Sequence, residues 1–277
     1  MTIKLIALDL DGTTLNSAGK LSEGNRNALE RAAQKGVNVV IATGRCYGAL
    51  PEDVVDVGGI RYAITSNGAQ IRDLHTGEAL YSNCIAPDSV VQAERILREY
   101  EERDFMAEVF VDGVAYMEKQ IYDDVKAGRN AFRHRDYVVN TRNPVDGLLD
   151  FLLAHKDNIE NINIFFASMD EKREMYPVLE TITNVTLTTS LDSNWEIGGA
   201  TTSKASALEE LGHMLNVKKE EIMACGDSPN DGDMLKEAGL PVAVGNAKPV
   251  IKEIAEFISG TNDEDGVATA IKKYVLQ

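Results

Sequence analysis

The chain has 277 residues, of which 44% are hydrophobic and 26% are charged, and its formal net charge is −16 at pH 7. This length suits one large domain or two modest ones, and the composition excludes a disordered chain, a small stapled scaffold and a membrane-spanning protein. The acidic balance opposes nonspecific attraction to nucleic acid or to an anionic membrane surface, and a surface that resists aggregation explains it most simply.

The first predicted strand is the apolar run Leu5–Leu8, which is typical of a strand buried on both faces of a parallel sheet. A helix follows, with Ser22 as its N-cap and Gly36 as its stop. Two more strands are predicted at 37–42 and 62–65, and a hairpin at 71–81.

The pattern changes from about residue 84 to residue 190. Pro87 opens a helix there, and Asp112-Gly113 marks a hairpin turn between two strands. The remaining predictions in this block are a helix at 144–155, a strand at 159–167, a helix at 170–181 and a strand at 185–189. This block is also α/β, but richer in hairpins.

The last part of the chain returns to alternating strands and helices. The predicted elements are a helix at 204–215, a strand at 222–225, a helix at 231–238, strands at 242–244 and 257–258, and a helix at 267–275. The whole pattern predicts a doubly wound α/β domain with a parallel sheet, split by an inserted α/β block.

The compartment follows from two further features. Cys46, Cys84 and Cys225 are odd in number, widely spaced and outside any metal-ligand pattern, so we expect neither a disulfide framework nor a zinc site. The apolar N-terminus is too short to span a membrane and is soon interrupted by aspartates, so we expect no signal peptide. A cytoplasmic protein is predicted.

Polar residues follow four of the predicted strands, and the carboxyl ends of parallel strands meet at one edge, where ligands bind. The segments are Asp9-Leu10-Asp11-Gly12, Thr43-Gly44-Arg45, Ser66-Asn67-Gly68 and the run from Gly226 to Asp231. Carboxylates packed together repel one another unless a divalent cation binds them. Oxygen ligands without His or Cys favour Mg²⁺.

Each segment has a chemical interpretation beside a plainer one. In Asp9-x-Asp11 both side chains leave an extended backbone on the same side, so one can attack while the other transfers a proton. Thr43-Gly44-Arg45 is suited to cradle phosphate oxygens, and Lys204 could offset negative charge on Asp9 and on a phosphoryl group.

The plainer interpretation of each segment is a turn, a helix cap or a solvated side chain. A calcium-binding loop is disfavoured, because Pro229 stands at the third position counted from Asp227. The joint occurrence and the order of all the segments carry the functional prediction.

Together these segments resemble the haloacid dehalogenase superfamily of phosphohydrolases, and within it the Cof-type subclass, subclass IIB. The resemblance covers the whole chain and rests on the segments 9–15, 42–45, 66–69, 226–231 and 265–268 together with Lys204. It implies a Rossmann-like core at 1–83 and 191–277, with an α/β cap domain inserted at 84–190. The cap is expected to contribute the residues that select the substrate.

The resemblance also implies roles for individual residues. Asp9 would be the nucleophile that forms an aspartyl-phosphate, and Asp11 would act first as general acid and then as base. The implied Mg²⁺ ligands are the Asp9 carboxylate, the Asp11 backbone carbonyl and Asp227, with Asp231 as a further or supporting ligand. Thr43, Gly44, Arg45 and Lys204 would surround the phosphoryl oxygens, and Asn230 would orient Lys204 or the phosphate.

The expected function is therefore Mg²⁺-dependent hydrolysis of phosphate monoesters of small metabolites such as sugar phosphates. The expected partner is a small phosphorylated metabolite, not nucleic acid or a membrane, and the sequence carries no signal for the oligomeric state. A phosphomutase or phosphotransferase using the same intermediate is the nearest alternative. A non-enzymatic, receiver-like phospho-acceptor fits less well, because its acceptor aspartate follows a later strand and it has no inserted block.

Overall fold

Four consecutive apolar residues form strand β1 (Leu5–Leu8), which is fully buried inside an eight-stranded sheet of the computed structural model. The structure describes residues 2–103, 105–130 and 134–277. The chain divides into two compact units. The first comprises Met1–Arg45, Leu50–Ser82 and Ser203–Gln277, and the second comprises Cys46–Ala49 and Asn83–Thr202.

The other strands are short. They are β2 (Asn38–Ala42), β3 (Ile60–Thr65), β4 (Gln70–Asp73), β5 (Ala79–Ser82), β6 (Phe105–Val111), β7 (Val114–Glu118), β8 (Arg142–Val145), β9 (Ile159–Phe166), β10 (Val185–Thr188), β11 (Asn194–Gly199), β12 (Ile222–Gly226), β13 (Leu240–Ala243) and β14 (Phe257–Ile258).

The helices lie between groups of these strands. They are α1 (Glu23–Gln34), α2 (Glu52–Val55), α3 (Pro87–Glu99), α4 (Lys119–Lys126), α5 (Arg135–Thr141), α6 (Leu148–Ala154), α7 (Met169–Leu179), α8 (Lys204–Leu215), α9 (Gly232–Lys236), α10 (Pro249–Ile254) and α11 (Gly266–Tyr274). Within the described ranges, no helix is long and apolar enough to cross a membrane.

The first unit is a sheet covered by helices on both faces. Its strand order is β14-β13-β12-β1-β2-β3-β4-β5, parallel from β14 to β3 and antiparallel at β4 and β5. Ile6 and Leu8 belong to a core cluster that includes residues of α1 and α11, whereas Leu5 and Ala7 belong to one that includes residues of α8 and α9. This alternation of core contacts along β1 confirms the predicted doubly wound α/β fold.

The second unit is built on a six-stranded sheet in the order β10-β11-β9-β6-β7-β8. All of its pairs are antiparallel except β7 with β8. Apolar residues of α3, α6 and α7 pack with Ile162 and Ile164 in one cluster. Residues of α4 and α5 pack with Met106 and Phe165, whose strand positions point to the opposite face, in another.

One sequence prediction in the second unit was wrong, and one strand was missed. Residues 142–145 form strand β8 beside β7, so the helix expected at 144–155 begins only at Leu148. Strand β11 was not predicted, and it pairs with both β9 and β10. In the structure the second unit runs to Thr202, and the inserted cap at 84–190 stays a prediction.

Candidate active site

Two neighbouring strands deliver aspartates to the same edge of the first unit's sheet. The register of β1 and β12 pairs Leu8 with Cys225, and the N–H of Asp9 continues the ladder by donating to the Cys225 carbonyl at 3.1 Å. Asp9 follows β1 directly, and Asp227 follows the last residue of β12. Parallel pairing therefore brings the two carboxylates together, as the sequence predicted.

The turn after Asp9 depends on a glycine. Gly12 has a φ of +81°, and a Cβ there would lie 2.9 Å from Asp227 Oδ2, so a larger residue would be strained and would crowd that carboxylate. Two hydroxyls of the same turn donate hydrogen bonds to the aspartates of the site. Thr13 Oγ1 donates to Asp227 Oδ1 at 2.9 Å, and Thr14 Oγ1 donates to the Asp9 carbonyl at 2.5 Å.

Lys204 reaches the same place from the first residue of α8. Ser203 caps this helix by accepting a hydrogen bond from the Ser206 N–H. The turn Ser66–Gly68 lies close to the start of α8 because Gly68 has no side chain. A Cβ at Gly68 would lie 2.1 Å from the Ser203 carbonyl oxygen. The Lys204 ammonium is buried and donates to Asp9 Oδ1 and Asp231 Oδ1, each at 2.7 Å.

Asp231 supports the other groups. One of its carboxylate oxygens accepts from Lys204, and the other accepts from the N–H groups of Asp227 at 2.9 Å and Ser228 at 3.0 Å. Its side chain is fully buried. Because both oxygens are engaged, Asp231 fixes the direction of Lys204 and the loop that carries Asp227.

The charges in this cluster do not balance. Asp9, Asp227 and Asp231 each place a carboxylate oxygen within 4.8 Å of the others, and Lys204 contacts two of them. Burial raises the pKa of Asp9 well above its usual value, although Lys204 acts in the opposite direction. Burial and the neighbouring Asp231 also raise the pKa of Asp227.

The pKa of Lys204 is also raised, which favours its charged form. Burial alone would lower its pKa, but the charges of Asp231 and Asp9 outweigh burial and raise it. The cluster thus keeps a charged ammonium, and when its carboxylates are ionised it carries a surplus of negative charge. An oxygen-only donor set with surplus negative charge fits a hard divalent cation such as Mg²⁺.

Asp11 and Arg45 form a two-pronged ion pair. Arg45 Nε lies 2.8 Å from Asp11 Oδ2, and Arg45 Nη2 lies 2.6 Å from Asp11 Oδ1. The Asp11 side chain is 58% exposed, whereas that of Arg45 is 13% exposed. The sequence grouped Arg45 with the phosphate ligands, but in this structure two of its nitrogens hold Asp11.

The loop after β2 offers a hydroxyl and backbone groups. Thr43 is buried, and its Oγ1 accepts from the Arg45 N–H at 3.1 Å. The Thr43 carbonyl accepts from the N–H of Asn67 at 3.0 Å, and a Cβ on Gly44 would lie 3.1 Å from Asn67 Oδ1. Thr43 and Gly44 therefore follow their strand where the sequence predicted, with Asn67 packed against them.

Asn67 links this loop to the one that follows β12. Asn230 Nδ2 donates to Asn67 Oδ1 at 3.0 Å. The sequence expected Asn230 to orient Lys204 or the phosphate, and this role stays a prediction, while the Lys204 ammonium donates to Asp9 and Asp231. Asn67 itself was not predicted as a site residue, although an asparagine before a glycine is a signal for its positive φ of 55°.

Comparison with known proteins identifies relatives over nearly the whole chain. The family model of haloacid dehalogenase-like hydrolases matches residues 6–271. The chain is 33% identical to phosphatase YwpJ of Bacillus subtilis, over 98% of this chain and 99% of that protein. It is 34% identical to the 5-amino-6-(5-phospho-D-ribitylamino)uracil phosphatase YcsE of the same organism, over 99% and 96%.

A solved structure agrees with these sequence matches. A haloacid dehalogenase-like hydrolase from B. subtilis superposes with a TM-score of 0.82 at 32% identity, covering 98% of this chain and 99% of that one.

Proposed function

Because the chain belongs to the haloacid dehalogenase-like hydrolases and is a Cof-type phosphatase, we propose that it hydrolyses phosphate monoesters of small metabolites with Mg²⁺, through a phosphorylated Asp9. One observation carries the proposal: the buried Lys204 ammonium lies 2.7 Å from the Asp9 carboxylate, which shares a surplus of negative charge with Asp227 and Asp231. This arrangement suits a nucleophile that must meet a phosphate anion.

The residues that would hold Mg²⁺ are the carboxylates of Asp9 and Asp227 and the backbone carbonyl of Asp11. Asp231 would act through its hydrogen bonds, because its oxygens already bind Lys204 and two backbone N–H groups. When bound, the cation supplies positive charge that offsets the carboxylates and the phosphoryl oxygens. Thr13 and Ser228 would keep the Asp227 carboxylate in place.

In the first step, an Asp9 oxygen attacks phosphorus and the bond from phosphorus to the leaving oxygen breaks. Asp11 gives its proton to that oxygen, so the alcohol leaves neutral. The Lys204 ammonium, Thr43 Oγ1 and the Gly44 N–H would stabilise charge on the phosphoryl oxygens. The product of this step is an aspartyl-phosphate on Asp9.

In the second step, Asp11 takes a proton from a water molecule, whose oxygen attacks the phosphorus of the aspartyl-phosphate. The bond from Asp9 to phosphorus breaks, inorganic phosphate leaves and the Asp9 carboxylate is restored. Arg45 would assist the second step by fixing the direction of the Asp11 carboxylate through two hydrogen bonds. In the first step Asp11 must carry its proton, so this two-pronged ion pair would have to open before Asp11 acts as the acid.

The second unit would serve as the cap that selects the substrate. Two relatives, YcsE and YwtE of B. subtilis, are 5-amino-6-(5-phospho-D-ribitylamino)uracil phosphatases at 34% and 30% identity. We therefore include this compound among the candidate substrates, with sugar and alditol phosphates. We also propose that the protein acts in the cytoplasm, where the thiols of Cys46, Cys84 and Cys225 would remain reduced.

The experiment is a screen of phosphorylated metabolites that measures inorganic phosphate with Mg²⁺ and with EDTA. We expect turnover that requires Mg²⁺ and that is lost in Asp9→Asn. Asp233→Asn is the matched control, because Asp233 is an exposed aspartate of the same unit that pairs with Lys236. Phosphate release that is unchanged in EDTA would contradict the metal assignment, and an isomerised sugar phosphate without free phosphate would identify a phosphomutase instead.

A further inference from the structure

The turn that follows Asp9 is held by asparagine side chains from distant parts of the first unit. Three backbone carbonyls of this turn each accept a hydrogen bond from an asparagine amide, which satisfies their need for a donor. The pairs, donor first, are Asn246 with Gly12 at 2.7 Å, Asn25 with Thr14 at 3.0 Å and Asn262 with Leu15 at 3.0 Å.

Two of these asparagines belong to the interior of the unit. Asn25 is 0% exposed and Asn262 is 6% exposed. Asn25 Oδ1 also accepts from the N–H of Ala268 at 2.9 Å, so the segment 265–268, which contributed to the family resemblance, is tied to the turn after the nucleophile. Replacing either asparagine would leave a buried carbonyl without its donor, so we expect both to be needed for folding.

Asn246 differs from the other two because it is exposed. It follows β13, which pairs in parallel with β12, so it lies at the same edge of the sheet as Asp227. Its Oδ1 accepts from the Asn262 N–H at 2.9 Å, and it lines a cavity of about 540 Å³ together with Asp11 and Gly12. Water can bind the half-buried Gly12 carbonyl in place of Asn246, so we expect folding not to depend on this side chain.

The position of Gly12 gives this hydrogen bond its importance. Glycine is the residue with the freest backbone, and Gly12 separates the Asp11 carbonyl, a proposed Mg²⁺ ligand, from the carbonyl that Asn246 binds. Thr13 follows at once, and its hydroxyl donates to Asp227 Oδ1 at 2.9 Å. A rotation of the Gly12 backbone would therefore move a group on each side of it.

We propose that Asn246 is a positioning residue of the phosphatase site. By holding the Gly12 carbonyl, it fixes the directions of the Asp11 carbonyl and of the Thr13 hydroxyl, and both groups serve the proposed Mg²⁺ site. It acts through the Gly12 peptide rather than by touching the substrate. The inference rests on the proposed Mg²⁺-dependent phosphatase function and adds a residue to it.

The test measures Mg²⁺ binding independently of turnover. Wild type, Asn246→Ala and the control Asn38→Ala are melted in EDTA and at increasing Mg²⁺ concentrations, and hydrolysis of p-nitrophenyl phosphate is measured in parallel. Asn38 is a matched control, because its amide donates to the Lys4 carbonyl at 3.3 Å at the amino ends of β1 and β2, opposite to Asp9. Asn246→Ser replaces Asn246→Ala if the latter does not fold, because serine also favours turns.

We expect Asn246→Ala to need about tenfold or more Mg²⁺ for half of the maximal rise in melting temperature, as is typical when a group that orients metal ligands is lost. In EDTA its melting temperature should stay within about 2 °C of wild type, because the side chain is exposed. At saturating Mg²⁺ its KM for p-nitrophenyl phosphate should change by less than about twofold, since the proposed phosphate ligands lie on other loops. Asn38→Ala should match wild type in its Mg²⁺ requirement.

Four outcomes decide the matter. An Mg²⁺ requirement equal to that of wild type, with or without a lower melting temperature in EDTA, would overturn the positioning role, as would an equal shift in Asn38→Ala. A wild type that Mg²⁺ does not stabilise would overturn this inference together with the metal assignment. Absence of phosphate release by wild type, with the shift present in Asn246→Ala, would instead reject the proposed function and support the role of Asn246 in Mg²⁺ binding.

Discussion

Both units bury ionic groups, but they balance the charges differently. In the second unit, Glu108 faces Arg142 as one carboxylate and one guanidinium, with side chains 0% and 2% exposed. The guanidinium also lies over the rings of Tyr137 and Phe110, at 4.5 and 5.7 Å from their centroids. In the first unit, Lys204 contacts Asp9 and Asp231 while Asp227 adds a third carboxylate.

The pKa values of the buried groups shift in ways that reflect how well the charges are balanced in each unit. Burial alone would lower the pKa of Arg142, but Glu108 outweighs burial and raises it, so the pair favours both charges. In the first unit, burial raises the pKa of Asp9 and Asp227, so neither carboxylate is fully compensated. Buried charge by itself is thus compatible with a structural role, whereas uncompensated buried charge is a sign of a site that binds a charged partner.

The largest expected effect is the loss of activity in Asp9→Asn. Removing the attacking oxygen should lower kcat on p-nitrophenyl phosphate by at least about 1,000-fold, because the covalent step is lost. The variant should still fold, since it removes a carboxylate from a cluster that has too many. Steady-state kinetics measure kcat, and a thermal melt shows whether the variant is folded. A kcat above about a tenth of the wild-type value would reject Asp9 as the nucleophile.

The second-largest expected effect is a loss of stability when the Glu108–Arg142 ion pair of the second unit is broken. Glu108→Gln leaves the Arg142 guanidinium buried without its carboxylate and should lower the free energy of unfolding by about 3 kcal/mol. Urea unfolding measures this loss. The double variant Glu108→Gln with Arg142→Met should recover part of it, and a single variant as stable as wild type would mean that the pair is not structural.

The third effect is a dependence of stability on pH in the absence of metal. Asp9 and Asp227 have raised pKa values when folded, so folding favours their protonated forms, and stability is lost as pH rises from their usual value near 3.8 through the raised values. The slope for one proton cannot exceed about 1.4 kcal/mol per pH unit. Urea unfolding in EDTA across this range measures it, and saturating Mg²⁺ should flatten the curve. The same slope with Mg²⁺ and with EDTA would contradict a metal site here.

The smallest effect is that of Asp227→Asn. Removing this carboxylate should stabilise the protein in EDTA by about 1 kcal/mol, as often occurs when a functional site is relieved of repulsion. The same change should abolish the rise in melting temperature that Mg²⁺ produces in wild type. A variant that Mg²⁺ still stabilises fully would place the metal elsewhere, and Asp233→Asn controls for the loss of any aspartate.

Much of this architecture could be predicted from local sequence. The apolar run Leu5–Leu8 matches β1 because a strand buried on both faces has no polar positions. The approach of Asp9 and Asp227 follows from parallel pairing, which needs only the strand ends. Lys204 follows from the joint pattern of segments.

The errors lie where tertiary contacts decide. Strand β11 has polar residues at 194 and 196 and ends in two glycines, so it carries little strand signal, and pairing with β9 and β10 defines it. Pro144 suggests the start of a helix but lies in strand β8. The pairs Arg45–Asp11 and Asn230–Asn67 join loops distant in sequence, so no local spacing predicts them.

The covalent intermediate tests the central claim most directly. Asp11→Asn should still allow Asp9 to attack an activated substrate but should lose water activation, so p-nitrophenyl phosphate with Mg²⁺ should leave the enzyme about 80 Da heavier. Rapid quench, intact mass and peptide mapping measure this species. The account predicts the added mass on the peptide that contains Asp9 and its absence in the Asp9→Asn, Asp11→Asn double variant. Phosphate on another residue, or an enzyme that turns over with no phosphorylated species, would contradict the account.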